Sequence, residues 1–146
     1  MRLAPEWIAD ARAAMKKTRV LASVSIAQFG IESGWGKAIK GNNPFGIKHM
    51  AGFPDQIFHT HEEIHGKLVP EDLVFAVFPS LAEAFMAHAQ LIATRPQYAP
   101  AMRTLPDVAA FVRALAPVYA TDHKYADTML AVIHSGNLTQ YDELSK

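Results

Sequence analysis

Hydrophobic residues recur at helical spacing in the first part of the chain. Trp7, Ala11 and Met15 lie four residues apart and predict a first helix of about three turns. A second helix is predicted from about residue 19 to residue 33, with one apolar stripe that faces the core, and Gly34 ends it. The stripe consists of Val20, Val24, Ala27 and Ile31. The chain is therefore expected to begin with two helices.

The helical spacing of hydrophobic residues ends after residue 33, and the following segment predicts a loop and short strands. Residues 34–54 hold five glycines and two prolines and predict a loop. Residues 57–64 and 73–78 are strand candidates, and the His-Gly pair that follows the first of them suits a two-residue hairpin turn. Pro70 is expected to interrupt the returning chain. Together these segments predict a small β lobe at about residues 47–79.

Helical spacing returns after this lobe. A capping box begins a helix at Ser80. Pro106 opens a further helix that Pro117 is expected to end, and Asp122 is expected to cap a last helix. The pattern as a whole predicts an α+β fold that is mainly helical, with one small β-hairpin lobe inserted, in a single domain at residues 1–146.

Composition narrows the functions that this domain can have. The chain has 146 residues, and its 14 basic and 14 acidic residues give a net charge of zero. A protein that grips nucleic acid through phosphates is basic, so we expect no nucleic-acid partner. The absence of cysteine excludes disulfides, thiolate zinc sites and a cysteine nucleophile. No apolar stretch reaches 18 residues, so we expect no membrane insertion.

The most informative single residue is Glu32. It lies in the last predicted turn of the second helix, about 100° around from the apolar stripe. The negative end of the helix dipole disfavours a carboxylate there, and Trp35 follows in a position to cover it. A carboxyl group with a raised pKa in an aromatic cleft is what a general acid needs. A surface glutamate with no such role remains the alternative from this position alone.

Four motifs around Glu32 and further along the chain resemble glycoside hydrolase family 73, the peptidoglycan-cleaving N-acetylglucosaminidases that include the flagellar muralytic domain. The stretch SIAQFGIESGWGK at residues 25–37 is similar to the catalytic helix of that family. The stretches GNNPFGIK at 41–48, FPSLAEAF at 78–85 and YATD at 119–122 follow in the order that the family has. The resemblance covers about residues 20–135.

The resemblance implies both a fold and a reaction. The fold would be lysozyme-like, with a glycan cleft between a helical body and a β lobe. Glu32 would be the general acid, and the N-acetylglucosaminyl-β-1,4-N-acetylmuramyl bond of peptidoglycan would be cut. No metal or organic cofactor is expected. The expected partners are peptidoglycan glycan strands, acted on by a monomer.

Glycoside hydrolysis usually needs a second carboxylate. In the family it lies on the β lobe, and the similar stretch THEEIHGK at residues 60–67 places it on Glu62. Glu63 would point to the opposite face of a strand, so only one of the two can face the cleft. We expect Glu62, with Glu63 as the alternative if the register is shifted by one residue.

The same stretch also spells H-E-x-x-H between His61 and His65, which on a helix would indicate a zinc peptidase. Gly66 and Pro70 leave room for only about two helical turns, and the flanking residues predict strands. A zinc peptidase is therefore the less favoured alternative.

Several side chains are candidates for sugar contacts. Tyr119, from the YATD motif, is expected to flank the acid in the cleft. Phe45, Trp35 and Tyr125 are candidate stacking platforms, and Asn43 is a candidate hydrogen-bonding group. The alternatives are that the aromatic rings, Tyr125 included, pack in the core or cleft wall and that Asn43 shapes its loop.

Two further readings stay open at this point. A lysozyme-like muramidase or lytic transglycosylase would share the fold and the glutamate but cut the other linkage, and a non-catalytic glycan-binding module would not need Glu32. The first residues lack the apolar core of a signal peptide. We therefore expect a cytoplasmic protein of the phage- or prophage-type endolysin kind that acts on the cell wall after release.

Overall fold

A computed structural model describes residues 2–143 as a helical body that carries one β-hairpin. The helices are α1 (Pro5–Thr18), α2 (Ala22–Ser33), α3 (Leu81–Thr94), α4 (Ala99–Met102), α5 (Val108–Tyr119) and α6 (Tyr125–Ser135), with 3-10 turns at Pro96–Tyr98 and Leu138–Asp142. The hairpin consists of β1 (Asp55–Ile64) and β2 (Lys67–Ala76). The predicted α+β architecture with an inserted hairpin lobe is confirmed. No helix in residues 2–143 has the length and hydropathy to cross a membrane.

Helix α2 is the central element of the body. It contacts α1, α3 and α6, and every residue from its start to Gly30 is buried. The single apolar stripe predicted from the sequence is therefore too narrow a description. The predicted start near residue 19 is also wrong, because Arg19 adopts a left-handed conformation (φ 72°) that ends α1. The predicted stop is confirmed, since Gly34 is the left-handed C-cap (φ 62°).

The two strands of the hairpin pair antiparallel along their whole length, from Asp55 opposite Ala76 to Ile64 opposite Lys67. Positive φ angles at His65 (50°) and Gly66 (78°) give the type I′ geometry that matches the strand twist. Pro70 does not interrupt β2, contrary to expectation. Both strands of a two-stranded sheet are edges, where a missing N–H is tolerated.

The remaining predicted boundaries are mostly close to the observed ones. The Ser80 side chain accepts a hydrogen bond from the Glu83 N–H (3.2 Å), as the capping box predicts. Pro117 lies inside α5 rather than ending it, and the helix continues to Tyr119. Asp122 accepts a hydrogen bond from the Lys124 N–H (2.9 Å) in the turn just before α6 rather than capping it directly.

Phe29 of α2 connects the body to the long loop before the hairpin. Its ring lies 4.6 Å from Trp7, 5.5 Å from Phe85 and 6.3 Å from Phe45, measured between ring centroids. Phe45 belongs to the loop, so this aromatic cluster fixes the loop onto the helices. The loop in turn pairs with the hairpin, because Lys48 forms a β-bridge with Phe75. Body, loop and hairpin thus enclose a cleft at the end of α2.

Candidate active site

Two adjacent cavities of about 670 Å³ and 190 Å³ lie along this cleft. Glu32, Gly46 and Phe75 line both of them. The larger cavity extends between the loop and the ends of α3 and α5, and the smaller one extends along the base of the hairpin. Glu32 therefore stands at their junction, where an extended ligand would pass on both sides of its carboxyl group.

The carboxyl group of Glu32 is held by a chain of two hydrogen bonds. The Tyr125 hydroxyl donates to Glu32 Oε1 at 3.1 Å. Gln28 Nε2 donates to the same hydroxyl oxygen at 3.3 Å. Because a hydroxyl has one proton to give, the amide of Gln28 directs that proton toward Glu32. Gln28 and Glu32 are one turn apart on α2, so the helix itself sets their spacing.

Burial raises the pKa of Glu32 above its ordinary value, and the hydrogen bond from Tyr125 opposes part of this effect. The side chain of Glu32 is nevertheless exposed to the cleft. Burial also raises the pKa of Tyr125, so its hydroxyl keeps the proton that it donates. The arrangement holds an accessible carboxyl group that retains its proton to a higher pH than an ordinary glutamate, as a general acid requires.

Tyr119 forms the wall beside this pair. Its ring stacks on Tyr125 with an interplanar angle of 7° and a centroid distance of 6.0 Å, and it lines the larger cavity. Burial raises the pKa of Tyr119 well above its ordinary value. Tyr119 is thus next to the acid, the position that the sequence motif suggests.

The other three candidate sugar contacts have structural roles around the cleft: Phe45, Asn43 and Trp35. Phe45 packs in the core and touches the larger cavity, and only 3% of its surface is exposed. Asn43 Nδ2 donates to the carbonyls of Ile47 (2.7 Å) and Ala76 (2.9 Å), so its amide ties the loop to the hairpin. Trp35 packs directly on α2, where a Cβ on Gly30 would clash with its ring.

Glu62 and Glu63 lie on opposite faces of β1. Glu62 shares its face with Phe58, which lines the smaller cavity, while Glu63 shares the other face with His61. Glu62 is four positions along the strand from Phe58, which corresponds to about 13 Å. Both glutamates are exposed near the tip of the hairpin. The structure thus puts Glu62 on the cleft side but away from Glu32 in this arrangement.

The H-E-x-x-H stretch lies in the hairpin and not in a helix. His61 is in β1, whereas His65 is in the turn, so the two do not share a helix face. Among residues 2–143, no group of three His, Asp or Glu side chains is arranged to hold a metal ion. The helical geometry on which the zinc-peptidase alternative depends is therefore not present.

The sequence indicates Tyr125 only as a stacking platform or a packing residue, not as the partner of Glu32, and it gives Gln28 no functional role. Gln28 is four residues before Glu32, and this i, i+4 spacing is the only local signal for its role. Tyr125 is 93 residues from Glu32 along the chain, so only the packing of α6 on α2 brings it to the carboxyl group.

Comparisons with known proteins agree with this geometry. The model of the family described as "Glucosaminidase: Mannosyl-glycoprotein endo-beta-N-acetylglucosaminidase" matches residues 8–138. A probable N-acetylmuramidase of Lactococcus lactis is 35% identical over 84% of this chain, and the exo-glucosaminidase LytG of Bacillus subtilis is 31% identical over 89%. The matches cover 30% and 49% of those two proteins, so this chain corresponds to a part of each.

Solved structures show the same fold. The catalytic domain of the autolysin Auto from Listeria monocytogenes superposes with a TM-score of 0.80 at 27% identity, over 97% of this chain and 91% of that domain. A glycoside hydrolase domain of FlgJ from Salmonella typhimurium gives 0.73 at 28% identity, over 90% of this chain and 96% of that domain. The family match covers most of the chain, and the chain belongs to the glucosaminidase family, glycoside hydrolase family 73, as its four motifs predict.

Proposed function

We propose that this protein is a peptidoglycan hydrolase that cleaves the N-acetylglucosaminyl-β-1,4-N-acetylmuramyl bond with Glu32 as general acid. One observation carries the proposal: the Glu32 carboxyl group stands where the two cavities meet, and its pKa is raised by burial. A glycan strand laid along both cavities would present a glycosidic oxygen to this acid. The relatives named as peptidoglycan hydrolases and glucosaminidases support the same substrate.

In the proposed reaction, Glu32 gives its proton to the glycosidic oxygen as the bond to the anomeric carbon breaks. Tyr125 then stabilises the carboxylate that remains, because its hydroxyl already donates to Oε1. Tyr119 lies beside the pair, and in the proposed reaction it contacts the N-acetyl group or the attacking water. Water completes the hydrolysis, and the proton that it loses restores the cycle.

Glu62 is proposed as the second carboxylate, which assists the water or stabilises the positively charged transition state. It lies on the cleft face of β1 but far along the hairpin from Glu32. The proposal therefore includes closure of the hairpin over a bound strand. Closure of a loop or lobe around substrate is a common step in enzymes.

A muramidase is the second candidate, because three relatives from Lactococcus lactis carry the name probable N-acetylmuramidase. The two activities cut alternate bonds of one strand and leave different sugars at the new reducing ends. The proposal rests on the glucosaminidase family model. The endolysin type, the cytoplasmic origin and the monomeric state stay predictions from the sequence.

Mass spectrometry of digested peptidoglycan tests the bond and the acid together. The wild type is expected to release fragments with reducing N-acetylglucosamine ends, and Glu32→Gln is expected to lose activity by about 10²–10⁴-fold with unchanged thermal melting. Reducing muramic ends or anhydro-muramic ends would show that the proposed bond is wrong. A Glu32→Gln variant within threefold of the wild type would show that the proposed acid is wrong.

A further inference from the structure

The charges that line the cleft are unequal, although the whole chain is neutral. Lys48, His49 and Arg95 line the larger cavity, and Glu32 is the one acidic residue among the residues that line it. Uncharged sugar rings give no reason for such a lining. A group that carries negative charge does, since cations at a recognition site bind carboxylates or phosphates.

Two of these three basic residues have no counter-charge in the part of the chain that the structure describes. His49 Nδ1 lies 2.9 Å from Asp55 Oδ1, so a carboxylate of the protein already faces it. Lys48 and Arg95 are exposed and form no ion pair or side-chain hydrogen bond with any of residues 2–143. Both head groups are therefore available to a ligand.

The backbone holds Lys48 and Arg95 on different walls of the larger cavity. Lys48 belongs to the loop and is fixed to β2 by its bridge with Phe75. Arg95 is the C-cap of α3, and its N–H donates to the Leu91 carbonyl at 3.1 Å. A ligand that fills this cavity would thus meet a cation from the lobe side and another from the helical body.

The smaller cavity has a different character. Gln56 and Phe58 of β1 line it, and its one cation, Lys40, lies with Nζ 5.0 Å from the centroid of the Phe58 ring. An aromatic ring and an amide suit an uncharged N-acetylated sugar. The two cavities on either side of Glu32 therefore differ in charge. This difference can determine in which direction a polymer of two alternating sugars binds.

We propose that the larger cavity binds the peptide-bearing sugar of the glycan strand and that Lys48 and Arg95 bind carboxylates of its peptide stem. This inference rests on the proposed function, because it takes peptidoglycan as the substrate. N-acetylmuramic acid carries the acidic peptide, whereas N-acetylglucosamine carries no charge. With the peptide-bearing sugar on the larger side and the neutral sugar on the smaller side, the bond at Glu32 is the glucosaminyl bond when the smaller side binds the non-reducing part of the strand.

The test compares two substrates that differ only in charge. Soluble peptide-bearing strands, free of other anionic wall polymers, are used either intact or after the peptide carboxylates are converted to amides. The Lys48→Gln/Arg95→Gln double variant is expected to lose about tenfold in kcat/KM on intact strands, mainly through KM. On amidated strands it is expected to match the wild type within twofold.

The Lys16→Gln/Lys17→Gln double variant is the matched control. It removes the same charge from the exposed last turn of α1, outside the residues that line the cleft, and is expected to match the wild type on both substrates. Equal activity of the wild type and the cleft variant on intact strands would overturn the inference, and so would an equal loss on both substrates. A wild type that cuts neither substrate would instead contradict the proposed function.

Discussion

At the scale of single residues, two opposing influences set the pKa of Glu32: burial raises it, and the hydrogen bond from Tyr125 lowers it. Burial favours the neutral form of Glu32, while the Tyr125 hydroxyl favours the carboxylate. In the proposed reaction Glu32 must be protonated before it acts and ionised afterwards, so both influences have a use. The balance between them sets the pH at which the enzyme loses its proton donor.

Tyr125→Phe is therefore expected to move the basic limb of the kcat/KM profile to higher pH. The variant removes the group that lowers the pKa of Glu32 and leaves the burial that raises it, so the proton is held more tightly. The basic limb of kcat/KM reports the acid of the free enzyme. Rates on peptidoglycan between pH 5 and about pH 9 measure the shift.

Tyr141→Phe serves as the control for this measurement, because it removes a hydroxyl in the last 3-10 turn, outside the residues that line the cleft. Its profile is expected to coincide with that of the wild type. A basic limb that stays in place or moves to lower pH in Tyr125→Phe would contradict this account of the pair.

Local signals explain which parts of the site could be predicted from the sequence. Glu32 is found by its place at a helix end within a motif, since both are properties of neighbouring residues. The Tyr125–Gln28 contact joins residues 97 positions apart, and no local pattern encodes it. The sequence does not distinguish a cleft-facing Phe45 from a buried one, because an aromatic residue after Asn-Pro fits a loop in either case. In the structure its ring lies mainly in the core.

At the scale of elements, start signals proved more informative than proline. Ser80 caps α3 because its side chain satisfies a free N–H, and that effect depends only on local geometry. Pro70 and Pro117 did not end their elements as expected. An edge strand tolerates a missing N–H, which explains Pro70. Pro117 removes one i→i−4 hydrogen bond, but it lies two residues before the end of α5, so little of the helix follows it.

The hairpin gives a prediction that separates its two adjacent glutamates. Glu62 lies on the cleft face of β1 and Glu63 on the other, so Glu62→Gln is expected to lose much more activity than Glu63→Gln. The loss is expected to be smaller than for Glu32→Gln, because in the proposed mechanism the carboxylate is brought in by closure of the hairpin. Initial rates on soluble glycan strands measure both variants.

Glu63→Gln is the matched control, since it makes the same chemical change one residue away. Both variants are expected to melt close to the wild type, because exposed carboxylates add little to stability. An inactive Glu63→Gln variant together with an active Glu62→Gln variant would show that Glu63, and not Glu62, faces the cleft. Full activity in both would show that Glu32 acts without a carboxylate from the hairpin.

At the scale of the whole molecule, the cleft wall is supported by a histidine in the core. His88 of α3 is fully buried, and its ring stacks on that of Phe45 at a centroid distance of 4.0 Å. The rings of His88 and Tyr119 form a T-shaped contact with a centroid distance of 5.9 Å. Neither ring nitrogen has a hydrogen-bond partner within residues 2–143. Burial without a partner lowers the pKa of His88 from 6.5 to about 3.

This lowered pKa couples the fold to pH. Between pH 3 and pH 6.5 the unfolded chain binds a proton at His88 that the folded protein does not, so the contribution of His88 to stability falls as the pH falls through that window. At pH 4.5 the loss relative to neutral pH is about 2–3 kcal/mol, at about 1.4 kcal/mol for each pH unit below 6.5. That loss corresponds to roughly 5–10 °C in Tm for a domain of this size.

His88→Leu is therefore expected to reduce the acid sensitivity of the whole domain, because leucine binds no proton in either state. Thermal melting of the wild type and the variant at pH 7 and pH 4.5 measures the effect. The informative quantity is the drop in Tm between the two pH values, which cancels any change in packing and the titration of groups common to both proteins. The drop is expected to be smaller in His88→Leu by several degrees. An equal drop in the two proteins would show that His88 is protonated in the folded state at pH 4.5, and the wall behind Phe45 would then have to admit water to an imidazolium ion.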